Sequence, residues 1–135
     1  MPTTDDYRSA AELRGALRRF LRRSEAVIRR HGLTTPRYEL LLAAKTGRDG
    51  TGRATLGELA ERLALAPSSI TELVARSEAL GLVRRELDPS RRRAVFVAVT
   101  PEGDRRLSAV VDELEGERAA LADIVAELAG AAGRP

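Results

Sequence analysis

Ser68, Ser69, Thr71, Glu72 and Arg76 fall at spacings that share one face of a helix. A face of short hydrogen-bonding groups with one arginine can approach the edges of nucleic-acid bases closely, because nothing bulky holds it away. Further along, Arg91, Arg92 and Arg93 run together, and with Arg84 and Arg85 they set five arginines against Glu86 and Asp88 within residues 84–93. A solvated turn does not need that density, which favours contact with phosphates or a minor groove. Catalytic chemistry finds no comparable set. His31 is the single histidine, no metal-ligand cluster occurs, and no serine stands beside a base. The glycine-rich residues 47–53 lack the closing Lys-Ser/Thr of a phosphate-binding loop, and no predicted strand precedes them, so they read as a connection. We expect no enzyme activity, no cofactor and no metal.

Composition agrees with a polyanionic partner. The 135 residues carry 22 arginines and one lysine, Lys45, against 20 acids, for a net charge of +3. Without cysteine there is no disulfide, thiolate metal site or thiol switch. No apolar run approaches a membrane span, and the polar start MPTTDDYRSA lacks a signal-peptide core, so a cytoplasmic protein away from membranes is expected. The length suits one domain over 1–135.

The elements that must hold these residues are mostly helical. Leu13, Leu17, Phe20, Leu21, Val27 and Ile28 recur at helical spacing over residues 7–30, with eight arginines and two glutamates on the other face. Such a charged face is usually solvated or paired with acids elsewhere. Gly32 ends that helix. Thr35 then reads as an N-cap before Pro36, opening a second helix to about residue 45, whose Tyr38, Leu41 and Leu42 give one buried stripe. Thr55 and Glu58 have capping-box spacing and open a third helix ending near residue 65. The next begins at Pro67 after a tight connection, with Ile70, Leu73, Val74, Ser77 and Leu80 as its buried stripe. Two short helices so joined have helix-turn-helix spacing. Residues 82–87 and 94–99 read as a two-stranded hairpin about a turn at Asp88, Pro89 and Ser90. A last helix opens at Thr100 and Pro101, and an apolar stripe runs along it to Leu128. Seven acids and three arginines lie between Asp104 and Glu127, opposite in sign to the first helix, so the two terminal helices should pack together within and between chains.

The run ELAERLALAPSSITELVARSEALGLVRRELDPSRRRAVFVAVTPEG closely resembles the winged helix-turn-helix of the MarR family of bacterial transcription regulators. The pieces that carry the likeness are PSSIT opening the reader helix, GLVRR leading into the hairpin, DPSRRRA at its tip and TPEG closing it. The resemblance implies a mainly α fold with a small β-hairpin, divided into dimerisation helices at 7–31 and 101–129 and a winged helix-turn-helix at 36–100. It further implies a homodimer on double-stranded DNA, acting as a repressor at a palindromic operator and released by a small-molecule effector. Ser68, Ser69, Thr71, Glu72 and Arg76 would then face the major groove. Arg93 would take the wing-arginine position, flanked by Arg91 and Arg92. An effector would sit between the dimer helices and the winged region, near His31, Arg37 and Tyr38, although each of these has a structural role open to it.

Three positions depart from the family pattern. Arg91 stands where an acid usually holds the wing arginine, Glu72 where arginine is common, and Ser77 on the stripe where leucine is preferred. Ser69 and Glu72 have capping-box spacing, so Glu72 is expected to cap a helix whose own start, Ala66, is a poor cap. A buried Ser77 would have to bond the Leu73 carbonyl or leave its hydroxyl unpaired. The alternative function is a winged-helix module whose arginines meet an acidic protein partner in place of specific DNA.

Overall fold

The computed structural model describes residues 1–47, 50, 52–88, 90 and 94–132. Nine elements follow in order: α1 (Thr4–Arg30), α2 (Thr35–Lys45), β1 (Arg53–Thr55), α3 (Leu56–Leu63), α4 (Pro67–Ala79), β2 (Val83–Leu87), β3 (Val95–Val99), α5 (Pro101–Glu113) and α6 (Glu115–Ala132). The fold is therefore mainly α, as expected, but its sheet is larger than the expected hairpin. β1 pairs antiparallel with β3, with Ala54 opposite Val97, and makes the strand order β1-β3-β2. Three residues inside a glycine-rich stretch give too short a pattern for periodicity to reveal.

This third strand explains why β3 does not alternate. Phe96, Val97 and Ala98 are all buried, because the central strand has a neighbour on each edge and helices packed against the sheet. Arg53 of β1 stacks its guanidinium 4.1 Å from the centre of the Phe96 ring.

α2 is the hub of the molecule. Leu40, Leu41, Ala43 and Ala44 are all buried, and Tyr38 and Leu42 pack partly against the same core. A helix apolar on most sides is an enclosed one, and α2 touches α1, α3, α4, α5 and the sheet. The expected single stripe undercounted it. Its N-cap is also one residue earlier than expected. Thr34 Oγ1 accepts from the Arg37 N–H, leaving Thr35 and Pro36 inside the first turn. At the far end, Arg62 of α3 donates to the carbonyls of Ala43 and Thr46, each at 2.9 Å, and so ties the α2 C-terminus to the helix-turn-helix.

The last helix is two. Leu114, buried in the core, leaves helical geometry at φ −91° and ψ 3°, which separates α5 from α6. The apolar stripe divides there as well. Leu107, Val110 and Leu114 fill the main core, whereas Leu121, Ile124 and Leu128 lie half-buried on α6, which packs against α1. The expected association of the terminal helices holds within the chain, joined by an Arg23–Glu117 ion pair at 3.1 Å.

Candidate nucleic-acid interface

α4 is placed by both its ends. α3 stops at Ala64, whose φ of 53° is the left-handed conformation an alanine adopts only at a cost of about 1–3 kcal/mol, and three residues later α4 begins. Ala66 provides no side-chain cap, so Pro67, which lacks an N–H, reduces the number of donors left over. At the C-terminus the Gly81 N–H donates to Glu78 and the Leu82 N–H to Ser77, at 2.9 and 3.0 Å. That paired closure requires the left-handed residue supplied by Gly81, at φ 75°.

Between these ends the helix sorts its residues cleanly. Ile70, Val74 and Ser77 are buried and Leu73 is half-buried, while Ser68, Ser69, Thr71, Glu72, Ala75 and Arg76 are all exposed on the opposite face. The five reader-helix candidates are thus brought together on one surface. Leu80 is the exception on the apolar side, since it forms the C-cap and is 54% exposed.

One detail of α4 differs from expectation. Glu72 does not cap: Ser69 lies inside the first turn, and the Glu72 carboxylate instead accepts from Arg76 Nη2 at 2.7 Å across one helical turn. Thr71 donates its hydroxyl to the Pro67 carbonyl at 2.9 Å, keeping only acceptor capacity for a ligand. Ser77 is fully buried and its Oγ has no hydrogen-bond partner among the described residues, so the back-bond to Leu73 does not form.

Beside α4, β2 and β3 pair from Val83 opposite Val99 to Leu87 opposite Val95, and the Asp88 N–H donates to Ala94 at 3.0 Å. Ser90 donates both its N–H and its hydroxyl to Asp88 Oδ1, which begins the turn. Arg91, Arg92 and Arg93 lie outside the described residues. The two described arginines of the hairpin are already engaged. Arg84 bonds Glu86 at 2.7 Å, and Arg85 meets Glu78 of α4 with both guanidinium and backbone N–H. These bonds hold the carboxyls of Glu78 and Glu86 below the usual carboxylate range. Positive charge free for a polyanion is therefore thinner along the strands than the sequence count implied.

The Glu78–Arg85 clamp fixes the hairpin to the end of α4, and sequence inspection missed it because the partners are seven residues apart across a turn. A second clamp joins α5 to the same turn. Thr100 donates through its N–H to Leu82 at 3.0 Å and through Oγ1 to Gly81 at 2.5 Å. Gly103, one turn into α5, lies so close that a Cβ there would collide with the Leu82 carbonyl. That contact is a physical reason for glycine at the end of TPEG.

The residues near the α1–α2 junction are dispersed. His31 caps α1, and its Nε2 lies 2.7 Å from Glu113 of α5, which also bonds Arg30. Those two partners hold the Glu113 carboxyl below its usual range, His31 contributing most. Tyr38 is half-buried, and burial pushes its hydroxyl pKa up against a smaller opposing effect of Arg118. Arg37 donates its backbone N–H to Thr34 Oγ1. No described hydrogen bond or ion pair unites the three. A cavity of about 360 Å³ does open at this junction, with Ile28, Leu33, Thr34 and Pro36 among its lining.

Among the described residues no group of histidines and acids could hold a metal ion, and no helix is long and apolar enough to cross a membrane.

Comparison with known proteins places this arrangement. The MarR family model matches residues 31–94, from the end of α1 to the residue before β3. The transcriptional regulator HosA of Escherichia coli O111:H- is 37% identical over 79 residues, which cover 58% of this chain and 56% of HosA. The chain spans about half the length of the curated relatives it matches. Among solved structures, AbsC of Streptomyces coelicolor, a MarR family transcriptional regulator, superposes with a TM-score of 0.71 at 23% identity, covering 87% of this chain and 78% of AbsC. A point mutant of S. aureus MepR, bound to an oligodeoxyribonucleotide, does so with a TM-score of 0.68 at 16% identity, covering 84% and 81%. Residues 31–94, just under half of the chain, are thus similar to the MarR family, and the helix pair, clamped hairpin and flanking helices occur here in the order of that fold.

Proposed function

We propose that the chain is a non-enzymatic, DNA-binding transcription regulator that acts as a homodimer. The observation that carries this reading is the exposed face of α4, where Ser68, Ser69, Thr71, Glu72 and Arg76 stand together on a helix closed at its C-terminus by the Gly81 and Leu82 backbone bonds. Short polar groups on a rigid helix suit a major groove, where each base pair presents its own pattern of donors and acceptors. Arg91, Arg92 and Arg93, which lie between β2 and β3 in the sequence, would take the adjoining phosphates or minor groove. MepR, of the same fold, is seen on DNA.

The dimer would use α1 and α6. Leu13, Leu17 and Leu21 follow one another at four-residue spacing along α1, yet are 42%, 40% and 54% exposed in the single chain. A second copy would cover them. Two-fold symmetry would then be mirrored in a palindromic operator with half-sites about 34–36 Å apart. The regulator would repress from the cytoplasm and be released by a small-molecule effector. The junction cavity falls within the usual size range for such a ligand, with His31, Arg37 and Tyr38 nearby in sequence as contact candidates.

Selection of bound duplexes from a random pool tests this reading. An enriched two-fold motif is expected, bound with log affinity falling against log salt at about −0.9 per phosphate neutralised. Arg93→Ala should weaken every duplex and flatten that slope. A pool without enrichment overturns sequence-specific binding, and retention of an acidic protein in place of duplex would support a protein-association module instead.

A further inference from the structure

The outward face of α4 is electrically neutral, and this is unexpected in a helix read as meeting a polyanion. Among the described residues of α4 the charged side chains are Glu72, Arg76 and Glu78, and Glu78 is turned away to Arg85 of β2. Glu72 and Arg76 remain outside, bonded to each other at 2.7 Å, with side chains 64% and 66% exposed. They border a shallow recess whose apolar walls are Pro36, Leu65 and Leu73, against which the arginine's methylenes can lie.

An exposed pair of this kind adds little to stability. Its effect is on direction. An unheld arginine on a reader helix can swing to any phosphate within reach, and such contacts carry no sequence information. Holding one Nη leaves the other N–H groups of a planar, rigid fork free, and the fork fits the O6 and N7 acceptors of guanine. The carboxylate also repels phosphates, so a complex made only of backbone contacts is penalised, whereas one that satisfies Arg76 at a base edge is not. We infer that Glu72 is a positioning residue for sequence discrimination: it withholds Arg76 from phosphates and aims it at a guanine in the half-site. This rests on the reading of α4 as the helix that enters the major groove.

The test is a double-mutant cycle on the intact chain with two duplexes, the best sequence from the random-pool selection and a scrambled one of equal length. Glu72→Gln keeps the shape and removes the charge. It should lower the ratio of the two affinities about tenfold, within the discrimination that one bidentate contact carries. Most of the change should come from tighter binding to the scrambled duplex, whose salt slope should steepen by about 0.9 for each arginine released. In an Arg76→Ala background the same substitution should leave the ratio within about twofold. Circular dichroism melts confirm folding of each variant. An equal fall in both backgrounds means that Glu72 reads a base itself, and an unchanged ratio means that the pair is incidental; either overturns the inference alone. A wild-type ratio near one overturns the parent reading and this inference together.

Discussion

α1 and α4 are both amphipathic helices edged with arginine, yet only one of them is finished within a single chain. Every large apolar side chain between the ends of α4 is at least half-covered, and what it shows to solvent is polar and charge-balanced. α1 buries Ala16, Ser24, Val27 and Ile28 and half-buries Phe20, while Leu13, Leu17 and Leu21 stay open. Its charge is unfinished too. Arg8, Arg23, Arg29 and Arg30 are paired with acids, but Arg14, Arg18, Arg19 and Arg22 have no such partner among the described residues. On the proposed reading, the helix complete in its own chain is the one that meets DNA, and the one left half-covered is the one a second copy would cover.

The comparison breaks most readily at α1. Leu17→Asp would place a carboxylate where a second copy is expected to bury leucine, twice per two-fold interface. We expect a rise in the dimer dissociation constant of at least about 100-fold, equivalent to roughly 1.4 kcal/mol for each of two sites, read by sedimentation velocity. A matched change on α4, Ala75→Asp, should leave sedimentation untouched and impair duplex binding only. If Leu17→Asp sediments like wild type, the contrast between the helices fails.

The buried side of α4 offers the next test. Ser77 is 0% exposed and its hydroxyl has no partner among the described residues. An orphaned buried hydroxyl costs about 1–3 kcal/mol, and alanine is the better helix former. Ser77→Ala should therefore stabilise the protein by about 1 kcal/mol, raising Tm by roughly 4 °C in a thermal melt. A lower Tm would mean that the hydroxyl has a partner or that the lost volume matters more.

These two helices also show where sequence reading succeeds. Periodicity found both, and the polar face of α4 was legible because exposed helical positions follow from the 3.6-residue repeat alone. Coverage was not legible, since Leu17 and Ile28 look equivalent on a helical wheel and differ only in what packs against them. Glu72 was misjudged for a related reason. Capping-box spacing recurs inside helices, and in a helix that begins at Pro67 Ser69 already lies within the first turn, so the spacing from Ser69 to Glu72 marks no cap. β1 escaped because three residues carry no period, and with it went the cause of the uninterrupted burial of β3. The tip arginines, which the motif had placed, fall outside the described residues.

The smallest expected effect concerns how each helix is tied to the rest of the chain. The end of α1 is held to α5 by Arg30 and His31 on Glu113, and the end of α4 to β2 by Arg85 on Glu78. Both carboxyls lie below their ordinary value of 4.5 in the folded chain. A carboxyl depressed by folding contributes stability above its unfolded pKa and loses that contribution as pH falls through its folded pKa. Glu113→Gln and Glu78→Gln should each flatten the acid limb of Tm against pH below about 4.5, by less than the Ser77→Ala shift because both sites meet water. They should separate in hydrogen exchange. Glu78→Gln is expected to loosen the last turn of α4 and the start of β2, and Glu113→Gln the α1–α5 junction with α4 unaffected. If Glu113→Gln also raised exchange in α4, the reader helix would be coupled to the α1 end more tightly than its own clamps account for, and the division between a finished helix and an unfinished one would need to be redrawn.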